Sequence, residues 1–451
     1  MSIARDTLAY WLAQAANAAL QYLSMAVVAV YLEPELRGVL IGLLLANTMT
    51  VSLTHLGLQP TASYFVSRAR DAAPGARPSP DHALFLLLIV LITAIDAFLW
   101  WAFGSTLFRP ALSKIPPEFR AYLLVSLGVI PFSLYLMAGQ GMLVGLQRVR
   151  QLSRFLFYFN LINSVLSLCG VIWLGWSVPA LVTAWAVLQA LGAAVLFGLL
   201  RPLAPLNFRA GAADLAARLR EMSSYGLRGY AGNVAGIIVS RFDQLFVMAA
   251  RGMHGLGIYQ IAPKLSMLIF MPSAALESAG YRQVRVAERA EAARLTRELF
   301  RTNFLVNGLL MLALLLLAEP IIRIGLTDLY AGAIVPLRIL LPGTLMLSCS
   351  RMISLYFSAQ LGRPQINSIW AWVAALFYFP MIWWVVIRHE GGLIGAAAVT
   401  TAGHGILLAG QWLMFMVQTG LWNPAPYLLP QPRDWGRLRR LITETIARRG
   451  L

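Results

Sequence analysis

Five cations stand well inside, away from the ends of, stretches of this sequence that are otherwise apolar enough to cross a membrane: Arg228, Arg241, Lys264, Arg338 and Arg351. Three acids, Asp96, Asp243 and Glu277, also lie within such stretches. A charge at the bilayer centre costs at least ~2.5–3.5 kcal/mol on insertion scales, so each needs a partner, a wet cavity or a task. The chemistry open to such a set is anion binding, because arginine's planar fork takes two oxygens of a phosphate or pyrophosphate at once. At about 1.5 Å of helix per residue, Arg241, Asp243 and Lys264 share one level below the outer face of the bilayer. Arg351 lies deeper, Arg228 and Glu277 lie near the inner mouth, and Arg338 is close enough to the outer face to snorkel. Asp243 and Lys264 are spaced to bridge adjacent helices. That pairing leaves Arg241 and Arg351 short of acids, with an anionic ligand as the supplement. Asp96 stands apart, either as a protonated, hydrogen-bonded acid or as a proton-coupling group.

Uncharged polar residues gather in the first half. Gln14, Asn17 and Gln21 follow one helical face, and Asn47, Thr48, Thr50 and His55 follow in the next apolar stretch. Such residues either wall a wet cavity or glue helices together. The stripe reads as a wall, each residue singly as glue. His55 and His404 read as packed histidines. Cys169 and Cys349 both fall within apolar stretches, so neither a disulfide framework nor a metal cluster is expected. There is no glycine-rich phosphate loop, and the acids of the short outer loops show no pairing suited to acid–base work. No catalytic residue, cofactor or metal site is expected.

The elements that position these groups are helices. Hydrophobic residues make up 59% of the chain and charged residues 12%, with a mean hydropathy of +0.69. About 12 stretches reach the ~20 residues needed to span the hydrocarbon core: 7–31, 38–66, 82–104, 119–146, 152–176, 179–201, 222–250, 255–280, 300–325, 332–361, 365–388 and 392–418. The first is too long for a signal-peptide core and reads as a retained span. Most of the 36 Lys and Arg collect in every second gap and in the tail, which places both termini in the cytoplasm. The net charge of +17 is therefore topological, attracts anionic lipid headgroups and does not imply nucleic acid.

The longer links are all on the cytoplasmic side. Residues 281–300 read as a surface helix. The tail sets Trp435, Leu438, Leu441, Ile442 and Ile446 against arginines, as in an amphipathic helix on the inner leaflet. The predicted organisation is an N-terminal six-helix bundle at 1–205, a cytoplasmic linker at 206–221, a second six-helix bundle at 222–418 and a basic amphipathic tail at 419–451. A faint internal repeat accompanies it: Ile130-Pro131 parallels Leu341-Pro342, and Arg37-Gly38 parallels Leu256-Gly257. Both halves begin inside, so the repeats are parallel. Transporters built from repeats place substrate between them near mid-membrane.

An ordered series of residues carries a family likeness. The second half has Asp243, then Gly257-Ile258-Tyr259, Ala262, Lys264-Leu265, Pro336-Leu337-Arg338, Pro342-Gly343 and Gly362-Arg363-Pro364; the first has Arg37-Gly38, Leu56-Gly57-Leu58 and Tyr64 to Arg68. The chain resembles the polysaccharide transporter branch (Wzx-like, O-antigen flippase) of the multidrug/oligosaccharidyl-lipid/polysaccharide (MOP) exporter superfamily. The resemblance implies an all-α polytopic membrane protein, with two parallel six-helix repeats forming a V-shaped, MATE-like transporter. It implies alternating access, and a polyprenyl-pyrophosphate-linked oligosaccharide turned from the inner to the outer leaflet of the cytoplasmic membrane for surface or exopolysaccharide biosynthesis. Arg241, Lys264, Arg351 and Arg228 would meet the pyrophosphate. Asp243 and Asp96 would couple an ion or pair structurally, and Gln14, Asn17, Gln21 and Asn47 would line the cavity. Membrane lipids and other polysaccharide-assembly proteins are the expected partners. Lipid II flippases of the superfamily usually carry further spans and arginines in their first two helices. This sequence has neither, which argues against lipid II. The rival readings are a membrane-embedded glycan ligase or polymerase, a MATE-type small-molecule antiporter, and a scaffold subunit.

Overall fold

The structure, a computed structural model, describes residues 19–72, 82–107, 113–204 and 212–429. Every regular element among them is helical. The first half contains α1 (Ala19–Tyr31), α2 (Pro34–Thr54), α3 (Leu58–Ala72), α4 (His82–Leu107), α5 (Arg120–Gly128), α6 (Ile130–Gly145), α7 (Val149–Ile172) and α8 (Val178–Leu200). The second contains α9 (Ala212–Tyr259), α10 (Ile261–Ser266), α11 (Phe270–Val286), α12 (Arg289–Gly325), α13 (Ile334–Leu355), α14 (Gln365–Ile382), α15 (Gly392–Thr419) and the short α16 (Ala425–Leu428). Among the described residues, ten helical segments are long and apolar enough to cross a membrane, and Ala19–Tyr31 and Ile261–Ala274 are shorter apolar ones. Each of the 12 predicted stretches overlaps one of these segments, the part of the first before residue 19 lying outside the described residues. The protein is a polytopic helical membrane protein.

Local sequence explains the starts and breaks. Pro34, Pro131 and Pro179 stand in the first turns of α2, α6 and α8, where a missing N–H costs nothing. The stretch predicted as one span at 38–66 is two helices, because Leu56 and Gly57 both take positive φ (+45° and +67°). Residues 281–300 are not a separate surface helix: α11 ends at Val286, Ala287 is extended, and α12 begins at Arg289. The stretch 206–221, predicted as linker, is helical from Ala212. α9 is broken at Gly252, whose φ is +66°. In α2, Thr48, Thr50 and Thr54 each donate to the carbonyl four residues earlier (2.8–2.9 Å), which satisfies their hydroxyls where no water can.

The chain divides into two compact units. Unit 1 holds residues 1–237 with 244–260 and 321–332. Its core runs through Leu134, Met142, Leu143, Leu196 and Leu200. His82 ties this core together, with Nδ1 2.9 Å from the Ala204 carbonyl and Nε2 3.0 Å from the Tyr135 hydroxyl. Unit 2 holds 238–243, 261–320 and 333–451. There α13 and α15 pack closely, Gly343 facing Thr401, whose hydroxyl donates to the Ile339 carbonyl at 2.7 Å. An aromatic cluster of Phe300, Trp412, Phe415 and Tyr427 closes one end. Burial holds the Tyr427 phenol up at about 12.

Candidate functional site

The intramembrane charges of unit 2 are spread over the helices α9 to α13. Arg241 is exposed on α9, within the apolar segment Tyr230–Tyr259, and has no ion pair among the described residues. Two residues on, Asp243 is buried and its Oδ2 lies 3.5 Å from the Thr400 hydroxyl of α15. Lys264 is exposed on α10. Arg351 of α13 pairs with Glu277 of α11, Nε to Oε2 at 3.2 Å, and its guanidinium lies 4.8 Å from the Phe270 ring centre. Arg338 does not simply snorkel: it pairs with Glu319 of α12 at 3.6 Å. Glu319 is a further acid within the predicted stretch 300–325 that the sequence count of intramembrane acids omits.

A buried amide network stands behind the Arg351–Glu277 pair. The Asn307 amide donates to Ser273 Oγ (2.8 Å) and Asn303 Oδ1 (2.8 Å), and its nitrogen lies 3.3 Å from Ser348 Oγ. Asn303 in turn donates to Ser348 Oγ at 3.1 Å. Ser273 lies one turn before Glu277 and Ser348 one turn before Arg351, so the network fixes the helix surfaces that carry the pair. Asn303 and Asn307 went unread in the sequence. Their signal was two amides one turn apart in an apolar stretch, which puts both on one face.

In unit 1, Asp96 of α4 is buried. Its Oδ2 lies 3.1 Å from Thr54 Oγ1, and its Oδ1 has no partner among the described residues. Nearby, the Trp100 indole donates to Thr50 Oγ1 at 2.9 Å. His55 stacks edge-on against Tyr230 at 4.6 Å, and Tyr230 donates to the Ser52 carbonyl. Asn47 is buried, donating to the Ser126 carbonyl (3.0 Å) and accepting from Ser133 (3.4 Å). Gln21 is exposed on α1. Gln14, Asn17 and most of the tail lie outside the described residues, and of Arg228 only the backbone position on α9 is described.

Arg37, which falls in the gap between the predicted stretches 7–31 and 38–66, is not a loop residue. It lies in the first turn of α2 and is 2% exposed. Its guanidinium donates to the Gly257 carbonyl and to Gln260 Oε1 (3.3 Å), and lies over the Tyr330 ring at 5.4 Å. The Tyr330 hydroxyl donates to the Leu32 carbonyl at 2.7 Å.

This arrangement offers cationic contacts for an anion, with an acid beside one of them. No cluster of three metal-ligating side chains is present among the described residues.

A sequence profile of the family described as "Polysaccharide biosynthesis protein" matches residues 3–279. No curated protein matches the chain. Solved structures with the same fold include the lipid II flippase MurJ in an inward closed conformation (TM-score 0.73, 13% identity, 93% of this chain and 88% of that one). Another is a multidrug resistance MATE family transporter of the MOP superfamily, inward-facing (TM-score 0.70, 15% identity, 90% and 96%). A third is a MOP superfamily transporter from Pyrococcus furiosus, whose reverse binding-pocket polarity suggests a different function (TM-score 0.63, 16% identity, 93% and 95%).

Proposed function

The chain belongs to the polysaccharide biosynthesis protein family and has the fold of MOP superfamily transporters, and we propose that it is a flippase for a polyprenyl-pyrophosphate-linked oligosaccharide. The lipid-linked glycan moves from the inner to the outer leaflet of the cytoplasmic membrane by alternating access, with both chain termini in the cytoplasm. The observation that carries this reading is Arg241: an exposed guanidinium inside an apolar span, with no ion pair among the described residues. A cation is costly there unless a ligand uses it. Lys264 and Arg351 in the same unit supply further positive charge for a pyrophosphate. The glycan and prenyl chain contribute bulk and lipid solubility; the pyrophosphate is the part a guanidinium recognises.

The test is a leaflet-resolved assay of the lipid-linked oligosaccharide in cells relying on Arg241→Ala. A charge-assisted hydrogen bond contributes roughly 1.5–3 kcal/mol, so export falls about ten- to a hundredfold while the protein stays at wild-type level in the membrane. Precursor accumulates on the cytoplasmic side. Undiminished export in this variant sinks the assignment of Arg241. Normal translocation with unjoined glycan outside, in cells lacking the protein, points to a ligase or polymerase instead.

Asp96 is the candidate for ion coupling. An isolated buried carboxylate is expensive, and a bound proton removes the charge. Asp96→Asn keeps the shape and the contact with Thr54. The variant is expected to accumulate normally and to bind substrate, while its transport in vesicles no longer responds to an imposed proton gradient. A gradient response equal to wild type assigns Asp96 to packing alone.

A further inference from the structure

We propose that Glu277 is a built-in stand-in for the substrate's diphosphate: it holds the Arg351 guanidinium between transport cycles and yields it when the diphosphate arrives. The inference rests on reading Arg351 as a diphosphate-binding cation. Three features of the pair support it. First, neither side chain is sealed: Arg351 is 42% and Glu277 33% exposed, whereas a pair serving only to join two helices inside a membrane gains from exclusion of competitors. Second, the closest approach of the carboxylate is to Nε. The two terminal amino groups of Arg351 have no hydrogen-bond partner among the described residues, so the half of the fork that grips a phosphate remains available. Third, both residues sit on helix surfaces fixed by the Ser273–Asn307–Ser348 network, and the Phe270 ring lies against the guanidinium. The guanidinium is therefore held in place without its gripping edge being used.

The arrangement solves a problem that any carrier of a polyanion through a membrane meets. A bare cation is costly in the empty carrier, and a cation that binds the diphosphate too tightly never releases it. Glu277 neutralises Arg351 while the site is empty. An arriving diphosphate, carrying more negative charge than one carboxylate, displaces it by repulsion and by better geometry at the terminal amines. After the carrier has turned, the carboxylate competes for Nε and speeds release. Glu277 thus lowers affinity in exchange for turnover.

The experiment measures binding of undecaprenyl diphosphate, without glycan, to the full-length protein in nanodiscs, beside export in cells. Glu277→Gln keeps the shape and removes the competing charge. It is expected to bind the probe about tenfold more tightly, the worth of one charge-assisted contact, while export falls. Equal or weaker binding by E277Q, with a wild-type melting temperature, overturns the inference. The doubly exchanged Glu277→Arg/Arg351→Glu protein separates this from a purely structural pair. It is expected to melt like wild type yet neither bind nor export, and restored export overturns the proposal. Arg351→Ala tests the premise: wild-type affinity in R351A removes the diphosphate reading itself, whereas weak binding in R351A with unchanged binding in E277Q removes only the role of Glu277.

Discussion

Gly141→Leu is expected to leave little folded protein in the membrane, although it adds only apolar atoms to an apolar helix. Gly141 and Gly145 stand one turn apart on α6 and face α3. A Cβ at Gly141 would meet the backbone carbonyl of Gln59, and one at Gly145 would lie 2.7 Å from the Ser63 carbonyl. The obstacles are main-chain atoms of a helix, which cannot swing aside as a side chain can. Between membrane helices lipid tails are as apolar as leucine, so burial gives no drive for association, and close backbone packing through small residues has to supply it. Forcing a leucine into that contact costs about 3 kcal/mol or more, the upper end of overpacking penalties, which is a large share of a marginal stability. Gly198→Leu on α8 is the control in the same unit, because nothing lies within 4 Å of its added Cβ. The measurement is the melting temperature and monodisperse yield of both variants after detergent extraction. A G141L protein that melts with wild type would show that the α3–α6 contact does not hold this unit together.

That contact is also one that a sequence alone does not encode. Gly141-Met-Leu-Val-Gly145 is a legible small-residue motif, yet a glycine pair in one sequence does not say which helix it faces. The helices themselves were plain, because a membrane span needs a length of apolar residues that nothing else in a chain requires. Their interruptions were not. His55, Gly57 and Pro60 interrupt the predicted stretch, yet only the backbone shows the positive φ at Leu56 and Gly57 that splits it into two helices. The intramembrane charges stood out against their surroundings, so Arg241, Lys264 and Arg351 could be named. Their partners could not, since Glu277 and Arg351 meet across helices far apart in sequence. Pairing is a tertiary fact that hydropathy does not encode. Arg37 failed for a third reason. It follows Glu33, Pro34 and Glu35, a polar run that reads as a loop, and an arginine in a loop is ordinarily a topology signal.

Arg37 carries the second large expectation: Arg37→Ala should destabilise the protein by about 2–4 kcal/mol, the range for stripping a charged donor from buried acceptors. The start of α2 meets the segment 253–257 backbone to backbone. Gly38 abuts the Met253 carbonyl and Gly257 abuts the Pro34 carbonyl. Arg37 lies across that junction, and its removal leaves the buried Gly257 carbonyl and the half-buried Gln260 without their donor. The charge is buried without a carboxylate in ion-pair range among the described residues. Its stabilisation therefore comes from the fork geometry and from the Tyr330 ring, itself anchored to the Leu32 carbonyl. Arg37→Lys should rescue little, because a single ammonium cannot serve the Gly257 carbonyl and Gln260 together while lying flat on an aromatic ring. Gln260→Cys, placed in a background with Cys169→Ser, reports on the junction directly: in detergent, labelling of the introduced thiol by a polar maleimide should rise several-fold when Arg37 is alanine. The remaining native thiol, Cys349, is buried and adds little background. If R37A melts within a degree of wild type and the introduced thiol labels no faster, the guanidinium is a passenger. In that case the two glycine contacts alone hold the start of α2 against 253–257.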